Sequence, residues 1–210
     1  MTLRSFLLFT ALTLPACALL ILSGDQPLAG FVHGHFTWSV PFFAALTATA
    51  DRTHEALMTH VLGLPIIFLA LGLAFAIGRY GLKRRGATLF LVLLLTHEFS
   101  MVLAKVLKGA VHRLRPEVQF GAGYTGSGLW AAGPHNDSFP SYHTAVYCSL
   151  FWPLAVAFPR YCGPLLVLPV LIGLGRLVLG AHYLSDVWFS VWLVVALTFL
   201  FGRLDKLRER

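Results

Sequence analysis

The chain has 210 residues, of which 57% are hydrophobic and 12% charged, with a mean hydropathy of +0.75 and a formal net charge of +7. A soluble globule carries about 25% charged residues, so a water-soluble module is excluded and an integral membrane protein is implied. The basic residues lie in short clusters between apolar runs, which excludes a nucleic-acid-binding face and points to membrane topology.

Apolar runs long enough to cross a bilayer core as a helix, about 20 residues, occur at about 3–23, 57–78, 86–107, 141–159, 162–182 and 185–203. Lipid cannot satisfy backbone polar groups, and uninterrupted runs favour helices over alternating barrel strands. The expected fold is all-α: one membrane domain over residues 1–210, a six-transmembrane-helix bundle with a loop and interfacial-helix region on its outer face. The first run follows Arg4. Leu14 to Cys17, LPAC, resembles a lipoprotein cleavage site, but the run continues to Leu22 and reads as an uncleaved span.

Segment 27–50 holds His33-Gly34-His35, Pro27, Pro41 and small polar residues, and reads as an interfacial or re-entrant piece on the outer face. Arg79, Lys83, Arg84 and Arg85 separate the second and third runs. With six spans these share one side with Arg4, Arg160, Arg203, Lys206, Arg208 and Arg210, which the positive-inside rule makes cytoplasmic. Both termini are then inside, and the bacterial cytoplasmic membrane is the expected location.

In the third run Glu98 and Lys105 are seven residues apart and read as a buried ion pair. His33, His35, His54, His60, His112 and His135 read as solvated or interfacial, Arg113 as a headgroup contact, and Trp38 and Trp130 as interfacial anchors. Gly121 to Gly126, GAGYTG, matches GxGxxG, but no strand precedes it, so a flexible outer loop is expected and not a nucleotide site. Cys17, Cys148 and Cys162 form no disulfide framework.

Three polar clusters break the apolar background: Lys108 to Pro116, Phe139 to Thr144, and Gly175 to Asp186. Alternation of the spans puts all three at the same, outer, face. Lys108, Arg115 and Arg176 together make a cationic site that calls for an oxygen anion such as phosphate. Pro140 and Ser141 read as a helix start, whose free N–H groups also favour an anion. His182 and Asp186, four apart, would share a helical face, with Asp186 accepting from one ring nitrogen and leaving the other nucleophilic. His143 is placed to protonate a leaving oxygen and then to withdraw a proton from water. This set describes phosphoryl transfer with no metal and no cofactor, because the cations supply the neutralising charge.

The pattern Lys108…Arg115-Pro116, Pro140-Ser141-Tyr142-His143 and Arg176…His182…Asp186 resembles the type 2 phosphatidic acid phosphatase family. The resemblance implies a metal-independent phosphatase with a covalent phosphohistidine. His182 would be the nucleophile, Asp186 its partner and His143 the acid then base, with Lys108, Arg115, Ser141 and Arg176 holding phosphate. Tyr142, where the family usually has Gly, would touch the phosphate site through its N–H, and Gly175 stands where the family usually has Ser.

The implied substrate is a lipid phosphate or pyrophosphate, among them phosphatidic acid, phosphatidylglycerol phosphate, undecaprenyl pyrophosphate and the lipid A phosphates. It would be met at headgroup level on the non-cytoplasmic face, with membrane lipids as the surroundings and no obligate protein partner. Other readings weigh the same residues differently. A lipid phosphotransferase would use the same site. A proton or solute pathway would show inverted repeats and interrupted helices at the midplane, and neither is visible. A phospholipid-binding protein would bind phosphate without turnover. Metal ligation by His143, His182 and Asp186 is disfavoured by the adjacent cations.

Overall fold

The computed structural model describes residues 1–122 and 127–203. Within these, α1 (Leu3–Leu19) passes through a π-helical turn at Leu20–Gly24 into α2 (Asp25–His35), and α3 (Val40–Leu57) follows. A two-stranded hairpin, β1 (His60–Val61) and β2 (Leu64–Pro65), leads into α4 (Ile66–Ala76), which is extended by a π-helical turn at Ile77–Gly81. Then come α5 (Thr88–Val111), α6 (Pro116–Ala122), α7 (Tyr142–Ala157), α8 (Cys162–Val178) and α9 (Leu184–Phe201). Residues 123–126 of the GxGxxG match, and Lys206, Arg208 and Arg210 of the basic tail, lie outside the described residues.

The fold is all-α apart from the hairpin, with α7 at its centre, packed on α5, α8 and α9. α1 lies on α9, α4 on α5 and α3 on α8. Met101, Val146, Tyr147 and Ile172 form a buried cluster covered by Leu46, Ala50, Met58, Phe68, Tyr142 and Leu168, so five helices share this contact. Among the described residues four stretches are long and apolar enough to cross a membrane: Leu3–His35, Arg85–Gly121, Pro159–Val178 and Leu184–Phe201; Ile66–Gly81 is a shorter apolar helix. The outward faces are apolar as well: Leu12 is 73% and Leu22 78% exposed. Such a surface belongs in lipid, and the chain is an integral membrane protein.

Several boundaries differ from the expected ones. Segment 27–50, expected as an interfacial or re-entrant piece, is largely helical: Pro27 falls in the first turn of α2 and Pro41 in the first turn of α3, where a missing N–H costs nothing. The run expected at 57–78 begins as a helix only at Ile66, because the hairpin precedes it. The run expected to reach residue 182 stops at Val178, and a left-handed Gly180 (φ 65°) turns the chain. A side chain at position 175 would place its Cβ 2.9 Å from Cδ1 of Phe43. Glycine there lets α3 approach α8 closely.

One buried polar cluster ties the ends of these helices together. Arg113, 1% exposed, follows α5 and donates from Nη2 to Asp25 at the start of α2 (2.8 Å) and from Nη1 to Asp186 in the first turn of α9 (2.6 Å). Nη1 also reaches Ser185 Oγ at 2.7 Å, Nε donates to the Ser127 carbonyl, and the guanidinium lies 4.2 Å from the centre of the Tyr183 ring. Ser185 in turn donates its N–H and hydroxyl to Asp25. Arg113 had read as a headgroup contact; it is instead an internal fastener.

Removing one member of a buried ion pair costs about 3–5 kcal/mol, because the partner charges stay buried. Arg113→Ala should therefore lower the melting temperature in detergent sharply; an unchanged melting curve would contradict the fastener role. Gly175→Ser should destabilise by roughly 1–3 kcal/mol through overpacking against Phe43. The same substitution in a Phe43→Leu background should cost much less by the same thermal assay.

Candidate active site

The chain turn after α8 builds the first part of the site. Ala181 and His182 donate their N–H groups to the Arg176 carbonyl at 3.1 and 3.2 Å, and the Glu117 N–H caps the Gly180 carbonyl at 3.0 Å. His182 thus sits in the turn before α9 and not on a helix with Asp186. Its Nδ1 is 2.6 Å from the Ser138 carbonyl oxygen. A carbonyl only accepts, so Nδ1 carries the proton and Nε2 keeps its lone pair.

Asp186 was expected to make that hydrogen bond; its carboxylate is 3.8 Å from Nδ1. It accepts instead from Ser138 Oγ at 2.6 Å and from the Tyr183 N–H at 2.8 Å. The aspartate orients Ser138, and Ser138 orients the imidazole. Burial holds His182 down to about 4, against the raising pull of Asp186, and the charges of Lys108 and Arg176 add to the depression. The ring is neutral at pH 7.

The cations come from three elements. Lys108 in the last turn of α5 donates to the Asp137 carbonyl and lies 3.8 Å from its carboxylate. Arg115, just before α6, grips the same carboxylate with Nε at 2.8 Å and Nη2 at 2.9 Å. This two-pronged grip is the geometry with which a guanidinium holds a carboxylate or a phosphate. Burial pushes Asp137 up, but the Arg115 hydrogen bonds and the Lys108 and Arg115 charges outweigh it and hold it below its ordinary value. Arg176, in the last turn of α8, has a buried Nε with no hydrogen-bond partner among the described residues.

Ser141 caps α7, accepting from the Thr144 N–H and hydroxyl at 3.4 and 2.9 Å. Its own N–H goes to the Asp186 carbonyl at 3.2 Å, which pins the start of α7 to the start of α9. The Ser141 hydroxyl hydrogen remains to be donated. His143, in the first turn of α7, places Nε2 3.2 Å from Asp51 Oδ2, and both Arg176 and Lys108 act on it electrostatically. The Tyr142 ring packs between Lys105, 5.5 Å from its centre, and His143, 6.3 Å away ring to ring. The structure therefore gathers Lys108, Arg115, Ser141, His143, Arg176, His182 and Asp186 at one end of the bundle. Tyr142 is with them, its side chain directed to packing.

Sequence reasoning missed Ser138, Asp137, Asp51, Asp25 and the role of Arg113. Asp137 and Ser138 sit two to three residues before the PSxH motif, so proximity was an available signal; Asp25 and Asp51 offered none. Lys105 forms no ion pair with Glu98 among the described residues; its ammonium lies over Tyr142. His54 is not free in solvent: His97 Nδ1 bonds Ser149 Oγ (2.8 Å), whose hydrogen goes to the Val146 carbonyl, so His97 Nε2 must accept from His54 Nε2 at 3.3 Å. No group of three His, Cys, Asp or Glu side chains is placed to hold a metal ion among the described residues.

Residues 86–209 match the model of the PAP2 superfamily. The lipid A 1-phosphatase of Rhizobium johnstonii is 32% identical over 122 residues, covering 56% of this chain and 48% of that protein. The lipid A 1-phosphatase of Rhizobium etli is 34% identical over 101 residues, covering 44% of each chain. The chain thus spans about half the length of the curated relatives it matches. No solved structure matches it. Because the family match takes in more than half of the residues and contains every cation, imidazole and hydroxyl of the assembled cradle, the chain belongs to the PAP2 superfamily.

Proposed function

We propose that this protein is a metal-independent lipid phosphatase that removes phosphate through a phosphohistidine at His182, with a phosphorylated sugar lipid of the lipid A type as its substrate. The observation that carries the reading is a neutral imidazole with its Nε2 unprotonated, beside Lys108 and Arg115, which share the Asp137 carboxylate, and Arg176, whose buried Nε has no hydrogen-bond partner among the described residues. A phosphate is a better occupant for that cradle than Asp137, because it offers more oxygen acceptors and more charge. The choice of lipid rests on the names of the two Rhizobium relatives.

In this mechanism Lys108, Arg115, Arg176 and the Ser141 hydroxyl hold the phosphoryl oxygens and neutralise the charge that develops on them. His182 Nε2 attacks phosphorus while His143 protonates the leaving oxygen. His143 then takes a proton from water, which displaces His182 from phosphorus. Asp186 acts on His182 by charge and through Ser138, not by direct hydrogen bonding.

The membrane arrangement belongs to the same proposal. Six crossings are formed by α1, α4, α5, α7, α8 and α9, within a single domain, and the site opens on the non-cytoplasmic side. The basic residues Arg4, Arg79, Lys83, Arg84, Arg85, Arg160 and Arg203 flank the ends of the spans remote from the Lys108–His182 cluster, as the positive-inside rule requires. α4 with its π-helical turn, and α7, are each about 24 Å long at 1.5 Å per residue, short for a 30 Å core. Modest local thinning of the bilayer accommodates such spans.

Purified protein in detergent should release inorganic phosphate from lipid A in the presence of EDTA, and His182→Ala should abolish the release and the acid-labile phosphoenzyme trapped by rapid quench. Release that stops on chelation, or that survives His182→Ala, would overturn the mechanism. Asp137→Ala should tighten orthovanadate binding by about 3–10-fold, since the competing carboxylate is gone; weaker binding would mean that Asp137 supports the cradle and does not occupy it.

A further inference from the structure

α3 lies outside the residues that match the family, yet it reaches the imidazole to which the mechanism gives the leaving oxygen. Asp51 Oδ2 is 3.2 Å from His143 Nε2, and Tyr147, one turn further along α7, donates its hydroxyl to Asp51 Oδ1 at 2.8 Å. Both carboxylate oxygens are engaged, so the carboxylate cannot rotate away from the ring. Around this contact is a cavity of about 270 Å3, lined by Asp51, His54, Glu55, Tyr142, His143 and Tyr147, with Val146 at its base.

The side chains of Asp51 and His143 are 34% and 29% exposed. A contact so open to solvent adds little to stability. Its effect is on the orientation of the ring. A carboxylate at Nε2 accepts the Nε2 hydrogen, which leaves Nδ1 as the nitrogen available to a reacting oxygen. The ring acts as an acid from its doubly protonated form, with Nε2–H on the carboxylate and the Nδ1 proton facing the reacting oxygen.

We infer that Asp51 is the positioning residue for His143: a carboxylate contributed by α3, locked by Tyr147, that holds the ring with Nε2–H on the carboxylate and Nδ1 toward the leaving oxygen. The inference rests on the phosphoryl-transfer reading of the site. In the first step the His182 Nε2–P bond forms and the P–O bond to the lipid breaks. The departing oxygen takes the Nδ1 proton, and His143 becomes neutral, still hydrogen-bonded to Asp51 through Nε2–H. In the second step Nδ1 takes a proton from water, the water oxygen bonds phosphorus, the N–P bond breaks and the imidazolium is restored.

The test uses the full chain in detergent, with lipid A as substrate and orthovanadate as a probe of the cradle. Asp51→Asn should lower kcat about 10–100-fold, with KM and the vanadate Kd within about twofold of wild type. Asp51→Glu should recover part of the lost kcat, and Tyr147→Phe should have a smaller effect than Asp51→Asn. An unchanged kcat in Asp51→Asn would overturn the inference, and so would a parallel collapse of kcat and vanadate affinity, the sign of a structural role alone. Wild-type protein without lipid A turnover would count against the phosphatase reading separately. In that case the inference is decided by 15N NMR of histidine-labelled protein, with His143 assigned from His143→Gln. The Nε2–H tautomer should dominate in wild type and weaken in Asp51→Asn; equal populations in the two would overturn it.

Discussion

A guanidinium sealed between two carboxylates is the constraint on which this structure depends. Charges at such depth attract strongly but lose their hydration, and the arrangement is favourable only when nearly every donor and acceptor is matched. Arg113 meets that condition: its donors go to Asp25, Asp186, Ser185 and the Ser127 carbonyl, and Asp25 takes two further hydrogen bonds from Ser185. The cluster joins the N-terminal helices to the α5–α6 connection and to the start of α9. From the start of α9, the Asp186 side chain fixes Ser138 and its carbonyl fixes the N-terminus of α7. The His182 imidazole and the Ser141 cap of α7 are therefore positioned by one electrostatic knot.

The cationic cradle poses the opposite problem. Lys108, Arg115 and Arg176 repel one another, and a site that holds them close is stable only with an anion among them. Asp137 fills that role in the free protein, its carboxylate resting on Arg115 and near Lys108. Its side chain is 46% exposed, which leaves it room to swing into solvent. The protein thus keeps its binding charges apart from one another without burying a permanent counter-ion in the site.

Much of this was legible in the sequence because apolar runs and charge clusters are local signals. The spans ending in Lys108, opening at Ser141 and starting near Asp186 were readable, and so was their meeting at one end. What failed depended on long-range or conformational facts. His182 and Asp186 are four apart, and helical spacing suggested a shared face; Gly180 in a left-handed conformation ends α8 early and leaves His182 in the turn. Arg113 looked like a surface residue because its carboxylate partners lie 88 and 73 residues away. The Pro and His content of segment 27–50 suggested an interfacial or re-entrant piece and did not show where its helices lie; a proline in the first turn of a helix is compatible with that helix.

The two departures from the family pattern have a common cause in α3. Glycine at position 175, where serine is usual, makes room for Phe43 of α3 against α8. Tyrosine at position 142, where glycine is usual, lines a cavity whose opposite wall is Asp51, His54 and Glu55 of the same helix. A helix that packs across α7 and α8 needs a small residue where it comes closest and a large one where it stands off. Position 175 is the close approach and position 142 the gap. Neither substitution removes a charged or acid–base group, and both adapt the family core to a helix that carries Asp51. The altered residues are therefore the imprint of a helix packed against the core, and they place that helix beside His143.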